Sequence, residues 1–399
     1  MILNLLLTRK LWILDYKKEK YNLKKLLIIH NIFPIYIKGF WDKFIFSDEI
    51  EVEFYFSSKD FNGIKGLNIK KNYDKVNQNK FHFVKNFFYK NILFWQTEIV
   101  KVSFLRKYDT IIFLGEANIM STWLAALLAR IRMKKVIFRG HGMYGNEKGI
   151  RLFLRSLFYK IPNEHLVYSE GSKKVMIENG FSENKIHVIF NSLNYAYQKG
   201  LFLKFQSREI KKSWSFFNND YPTIFFLGRL TKIKKIDLLI KAVVAVNKNK
   251  LKLNLLVIGG GEEFFNLKEI AKELTEIGQC HFTGEVYEEL ELANYIYYSD
   301  LCISPGNIGL TAIHSLSYGT PIATHSNRLN QGPEHEIIID FVNGFYFKEN
   351  SSLSLTNNLL KWFEKSHKQV DKDFLRKPID LKYNPNYQFD LIKKLFINK

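Results

Sequence analysis

Sulfur and acid are what this chain is short of. Two cysteines, Cys280 and Cys302, occur in 399 residues, which excludes a disulfide framework and fits a reducing compartment. Asp and Glu total 39 against 59 Lys and Arg, a formal net charge of +20. That balance suits anionic partners: nucleic acid, anionic lipid or phosphorylated small molecules. The basic residues are scattered and no nucleic-acid-binding motif accompanies them, so nucleic acid is not expected as a partner. No apolar run approaches the roughly 20 residues that span a bilayer. The opening MILNLLLTRKLWIL (1–14) carries its basic residues after the apolar run, the wrong order for a secretory signal. A cytoplasmic protein is expected.

What is present argues for a globular chain of two domains. Hydrophobic residues make up 46% and charged residues 25%, a balance that excludes global disorder. Aromatics reach 16%, with 35 Phe and 21 Tyr; AT-rich codon usage explains that enrichment as well as function does.

Short apolar runs alternate with longer amphipathic segments. In the first half LLIIH (26–30), VEFYF (52–56), TIIFL (110–114), KVIFR (135–139), HLVYS (165–169) and HVIFN (187–191) read as buried strands. The second half repeats the pattern at 223–228, 253–259, 280–284, 301–304, 321–325 and 344–347. Helical patterns at 121–133, 171–180, 234–249 and 266–277 lie between them. Strand and helix in alternation predict α/β domains with parallel sheets and right-handed crossovers, and a ligand where strand ends meet a cleft. Residues 198–220 lack a clear period and read as a linker. The expected division is 1–205, 206–375 and a tail, 376–399, packing back on the first domain.

The chemistry concentrates in the second half. FLGRLTKIKK (226–235) ends a strand at Gly228 and crowds Arg229, Lys232, Lys234 and Lys235 into the next turn, a pattern suited to a diphosphate. A solvated basic helix start explains it equally well. LVIGGGEEF (256–264) puts three glycines, Gly259 first, after a strand, and FTGEVYEEL (282–290) offers a turn with Tyr287 beside a base. SPGNIGLTAIHSLSYGTP (304–321) sets Asn307, Gly309, Leu310 and Thr311 at a helix start whose unpaired N–H groups favour anionic oxygen. QGPEHEIIIDFVNGFYF (331–347) adds Glu334 and Glu336.

In this order the motifs resemble the second domain of family-four retaining glycosyltransferases, over roughly residues 222–348. The first half is similar more loosely, through Asn-Ile-Phe-Pro (31–34), RGHGMYG (139–145) and VIFNSL (188–193). The resemblance implies the GT-B architecture, two Rossmann-like doubly wound domains facing across a cleft. It implies Arg229 and Lys234 on the donor diphosphate and His141 near the donor sugar, these three forming the catalytic set. Gly309, Leu310 and Thr311 would meet phosphate and sugar, and Phe282 to Tyr287, including Val286, the base. Gly228, Gly259, Asn307, Glu334 and Glu336 complete the implied donor site with His314, and no metal is expected.

The departure is at Gly306 and His314, which occupy the positions of the family's two glutamates, eight apart. An imidazole retains one hydrogen bond for a ribose hydroxyl; Gly306 retains none for the sugar.

The implied activity is hexosyl or N-acetylhexosaminyl transfer, with retention and without a metal or other cofactor, from a nucleotide-sugar co-substrate. The implied acceptor is a glycan or polyprenyl-diphosphate-linked saccharide in bacterial surface polysaccharide assembly, such as capsule or lipopolysaccharide. Two rivals stay open: a nucleotide-sugar-binding protein without turnover, and another GT-B enzyme such as a nucleotide-sugar epimerase. Segments 81–95 and 149–161 mix Lys or Arg with bulky apolar residues. They add an anionic membrane surface as a partner for a peripheral protein, or else pack on the sheet with their basic ends in solvent.

Overall fold

A computed structural model of the protein describes residues 24–58, 66–90, 93–365 and 371–397. The stretch read above for a secretory signal, 1–14, lies outside the described residues.

The first domain is built on β1 (Lys25–Ile32), β2 (Glu51–Ser57), β3 (Phe81–Phe83), β6 (Thr110–Leu114), β7 (Lys135–Gly140), β8 (Glu164–Val167) and β9 (Ile186–Val188). They form one sheet in the order β3-β2-β1-β6-β7-β8-β9, every pair parallel. A two-stranded hairpin, β4 (Asn86–Tyr89) with β5 (Leu93–Gln96), stands apart from it. The second domain holds β10 (Thr223–Leu227), β11 (Asn254–Ile258), β12 (Cys280–Gly284), β13 (Leu301–Ser304), β14 (Ile322–His325) and β15 (Gly344–Phe347). Their order is β12-β11-β10-β13-β14-β15, again parallel. Central strands such as β11 are buried at every position, as a sheet covered by helices on both faces requires. Strand order reverses between β1 and β6 and between β10 and β13, so each sheet opens a crevice at those carboxyl ends.

Two expectations need correction. Residues 198–206 are not linker but part of a helix, Tyr195–Gln206, whose Leu201, Phe202 and Phe205 are buried. Its buried positions form one face, but Gln198 sits on that face while Tyr197 and Leu203 are exposed, which hides the period in the sequence. The single helix expected over 266–277 is two, Phe264–Ile270 and Lys272–Glu276, meeting at Ala271.

The final helix, Pro385–Ile397, lies on the first domain. Phe389 meets Phe44 at 5.0 Å between ring centroids, and Ile392 and Phe396 join the cluster around Phe40 and Trp41. Gln388 locks it there by donating to the Phe190 carbonyl and accepting from Ser192. Among the described residues no helix is long and apolar enough to cross a membrane.

Candidate active site

The second domain's crevice is made of backbone. Gly228 N donates to the Ile258 carbonyl and Gly259 N to that of Gly284, which extends the ladder past the strand ends. A Cβ on Gly259 would stand 1.9 Å from the Gly228 oxygen, so only glycine allows the two turns to touch. Gly306 has the same origin: a Cβ there would lie 2.3 Å from the Ile233 carbonyl oxygen. Its N–H donates to the Lys234 carbonyl, and Lys234 Nζ returns a bond to the Asn307 carbonyl. The glycine at the first expected carboxylate position is therefore a close-packing residue, which presses the 304–310 loop onto the basic turn.

That turn presents Arg229 exposed at the carboxyl end of β10 and Lys234 partly buried beneath it. Burial holds the Lys234 ammonium below the usual lysine range, with Glu334 opposing the shift. Thr311 Oγ1 donates to the Leu227 carbonyl, fixing the helix Thr311–Ser317 against β10. Gln331 braces the same loop: its Oε1 accepts from Ile308 N and its Nε2 donates to Thr324 Oγ1. Gly309, at φ +51, turns the chain into that helix. Leu310 follows as its N-cap residue.

The remaining residues divide. Tyr287 is 69% exposed and donates to Glu285, while the positive charge of Arg229 acts on its hydroxyl. Val286 is half-buried, and Phe282 packs on Phe264 at 5.9 Å, towards the core. Glu334 is 4% exposed and accepts from Asn191 of the first domain at 2.6 Å; burial pushes its carboxyl up. Glu336 accepts from Gly171 N at 2.9 Å, across the domain boundary, and lies 3.6 Å from Arg328. His314 points to Glu289, with Nε2 3.0 Å from Oε1. Tyr318 and Gln198 donate to that same oxygen.

Facing this edge, the carboxyl ends of β1, β6 and β7 surround a first-domain pocket of ≈ 320 Å³. His141 stands on its rim and also lines the ≈ 510 Å³ interdomain groove that reaches Asn307, Gly332 and Glu336. Burial and the nearby Arg155 and Arg139 charges lower the His141 pKa to about 4, so its ring is neutral at pH 7. Arg229, Lys234, Asn307, Gly309 and Thr311 thus come together on one edge. Glu336 lies further along the same groove, and Phe282 faces the core. Asn191, Gln331 and Glu289 received no role from the sequence, because nothing local marks them.

Two doubly wound domains with a shared crevice define the GT-B fold. Residues 207–374 match the family model of glycosyl transferases group 1. An uncharacterised glycosyltransferase of Methanocaldococcus jannaschii is 26% identical over 300 residues, 69% of this chain and 71% of that one. Among solved structures, Anabaena HepE in complex with UDP superposes with TM-score 0.64 at 14% identity, covering 93% of this chain and 99% of HepE. The lipopolysaccharide outer core galactosyltransferase WaaB, in its apo form, gives 0.63 at 16% identity, over 94% and 99%. The protein is a glycosyltransferase, and the stretch that matches the group 1 model lies in its second half.

Proposed function

We propose that the protein is a retaining, metal-independent transferase that moves a hexosyl or N-acetylhexosaminyl group from a nucleotide sugar to a glycan or lipid-linked saccharide, in bacterial surface polysaccharide assembly. The observation that carries this is the convergence of Arg229, Lys234 and the 306–311 loop on the edge that faces His141. UDP in HepE and the lipopolysaccharide role in WaaB's name support a uridine donor and a surface-glycan acceptor. Arg229 and Lys234 stabilise the charge that builds on the leaving diphosphate. The acceptor hydroxyl attacks from the same face, and its proton passes to the departing phosphate oxygen, so no protein nucleophile is needed. His141, neutral, hydrogen-bonds the donor sugar without adding charge. Glu289 accepts the ribose hydroxyls through Oε2, for which no described residue supplies a bond, while His314 holds the carboxylate by its other oxygen. Beyond the nucleotide-sugar co-substrate no cofactor takes part.

A cytoplasmic, membrane-peripheral setting fits the outer face of the first domain. On the helix Gly149–Tyr159, Ile150, Phe153, Leu154 and Leu157 are exposed beside Arg151. Leu154 and Leu93 line one groove, ≈ 1020 Å³, that shares Glu116 and Asn118 with the first-domain pocket. A lipid-linked acceptor could run along it to the bilayer.

Calorimetry with UDP, then NMR of the product's anomeric configuration, tests the central reading. Binding of UDP by the wild type and an α-linked product from an α-linked donor are expected. An inverted product, or UDP affinity indifferent to both Arg229→Ala and Lys234→Ala, overturns it. Binding of UDP-sugars without transfer to any saccharide acceptor overturns the proposed acceptor class.

A further inference from the structure

Arg139 ends β7 at the floor of the first-domain pocket and is 4% exposed. Its guanidinium faces are covered by Phe40 at 4.6 Å and Tyr168 at 5.2 Å. These rings account for the faces of the group and leave its hydrogen-bonding edge unexplained. Nε has no hydrogen-bond partner, and among the described residues no carboxylate pairs with the side chain. Arg376, equally buried, shows what a structural arginine looks like here: it bonds the Ser317 carbonyl and pairs with Asp380. A buried cation left without a counter-charge is costly unless something supplies one.

The rest of the pocket wall mixes apolar residues, among them Pro34, Ile37, Phe94 and Leu114, with polar ones. His30 donates from Nδ1 to the Ile32 carbonyl, which leaves Nε2 as an acceptor; burial and Arg139 lower its pKa to about 3. Asn118, Asn191 and Tyr36 add polar groups to the lining, and Glu116 adds a carboxyl whose pKa burial raises. One cation among hydroxyl-reading groups, in ≈ 320 Å³, suits a single sugar ring with one negative charge. The pocket lies at the first sheet's switch point and meets the interdomain groove at His141.

We propose that this pocket is an acceptor subsite for a sugar bearing a singly charged oxyanion, a carboxylate or a phosphodiester, and that Arg139 is the residue that selects it. This rests on the reading that the first domain takes the acceptor. The planar fork donates to two oxygens at once, which a lysine would not.

Ligand-detected NMR titrations with and without UDP decide it. The probes are methyl glucuronide, its neutral methyl ester, and a methyl glucoside with and without a 6-(methyl phosphate). For the wild type, at least one anion should bind about 10- to 100-fold more tightly than its neutral counterpart. Which of the two does so identifies the source of the oxyanion. In Arg139→Gln the preference should vanish while UDP affinity stays unchanged. Equal binding of both pairs by the wild type, or a preference that survives in Arg139→Gln, overturns the proposal. Should Arg139→Gln fail to fold, the wild-type acid and ester pairs still decide, with Arg139→Lys as the second variant. UDP bound with no anion preference defeats this inference alone. A preference without UDP binding defeats the donor reading and leaves Arg139's role standing.

Discussion

The two switch-point crevices are built from different material. In the second domain the crevice is made by glycines that let turns touch, with Arg229 exposed at its rim and Lys234 partly buried. Its residues fall within a few short motifs. In the first domain the pocket draws His30, Glu116, Arg139, Tyr168 and Asn191 from five separate segments, and its one cation is buried against aromatic rings. Under the proposed function a diphosphate, common to many donors, is held here by backbone and by the Arg229 and Lys234 charges. An acceptor differs from enzyme to enzyme and is read by side chains. Motifs therefore mark the donor half, while the other half can change its side chains without changing its fold.

The largest expected effect lies in the glycine architecture. Gly259→Ala forces a carbon into the Gly228 carbonyl and should cost about 4 kcal/mol or more, abolishing the second domain's cooperative melt. By contrast Gly149, at φ +55 with open space around it, should lose only about 1–2 kcal/mol as Gly149→Ala. Equal losses in the two variants, read by urea denaturation, would show that the close approach of Gly259 to Gly228 is not what holds the second crevice together.

Next comes charge. Lys234→Ala removes a charge-assisted contact worth about 1.5–3 kcal/mol, so UDP affinity should fall about 10- to 100-fold. Binding of an anionic acceptor probe should be untouched. If both ligands weaken together, the two crevices are one site.

A smaller effect is expected at the ribose. Glu289→Gln should weaken UDP about 3- to 10-fold and leave 2′,3′-dideoxy-UDP unaffected. His314→Ala should act in the same direction and also lower the melting temperature, since it strips one of three donors from Glu289 Oε1. A melting loss with no change in the UDP-to-dideoxy ratio would make His314 purely structural.

The mildest test is pH. His30 and His141 titrate near 3 and 4 in the folded protein against 6.5 as ordinary values. Depressed folded values mean that stability is fully present above about pH 6.5 and is lost as pH falls towards 4. The melting temperature should drop across that window by about 2–4 °C per kcal/mol lost, and less in His141→Asn. A flat profile would show that the pocket is open to water in the folded state.

Much of the fold was legible because buried parallel strands are short, continuous and apolar. The twelve runs read from the sequence all overlap observed strands. β3 and the β4–β5 hairpin were not separated, since FHFVKNFFYKN interleaves lysine and asparagine with aromatics and sits at an edge where both faces are mixed. The helix at 195–206 is hidden for another reason, since Gln198 lies on its buried face and Tyr197 and Leu203 on its exposed one.

By itself the sequence determined the two-domain α/β plan, the parallel sheets and the second domain's turns, because apolar periodicity and glycine spacing are local properties of the chain. Only the tertiary structure decided that Gly306 packs on the basic turn, that His314 is committed to Glu289, that Glu334 reaches Asn191 across the cleft, and that Arg139 is buried without an ion pair among the described residues. Each of these depends on side chains brought together from distant segments, and the cost or gain of burying a polar group is set by what those neighbours supply.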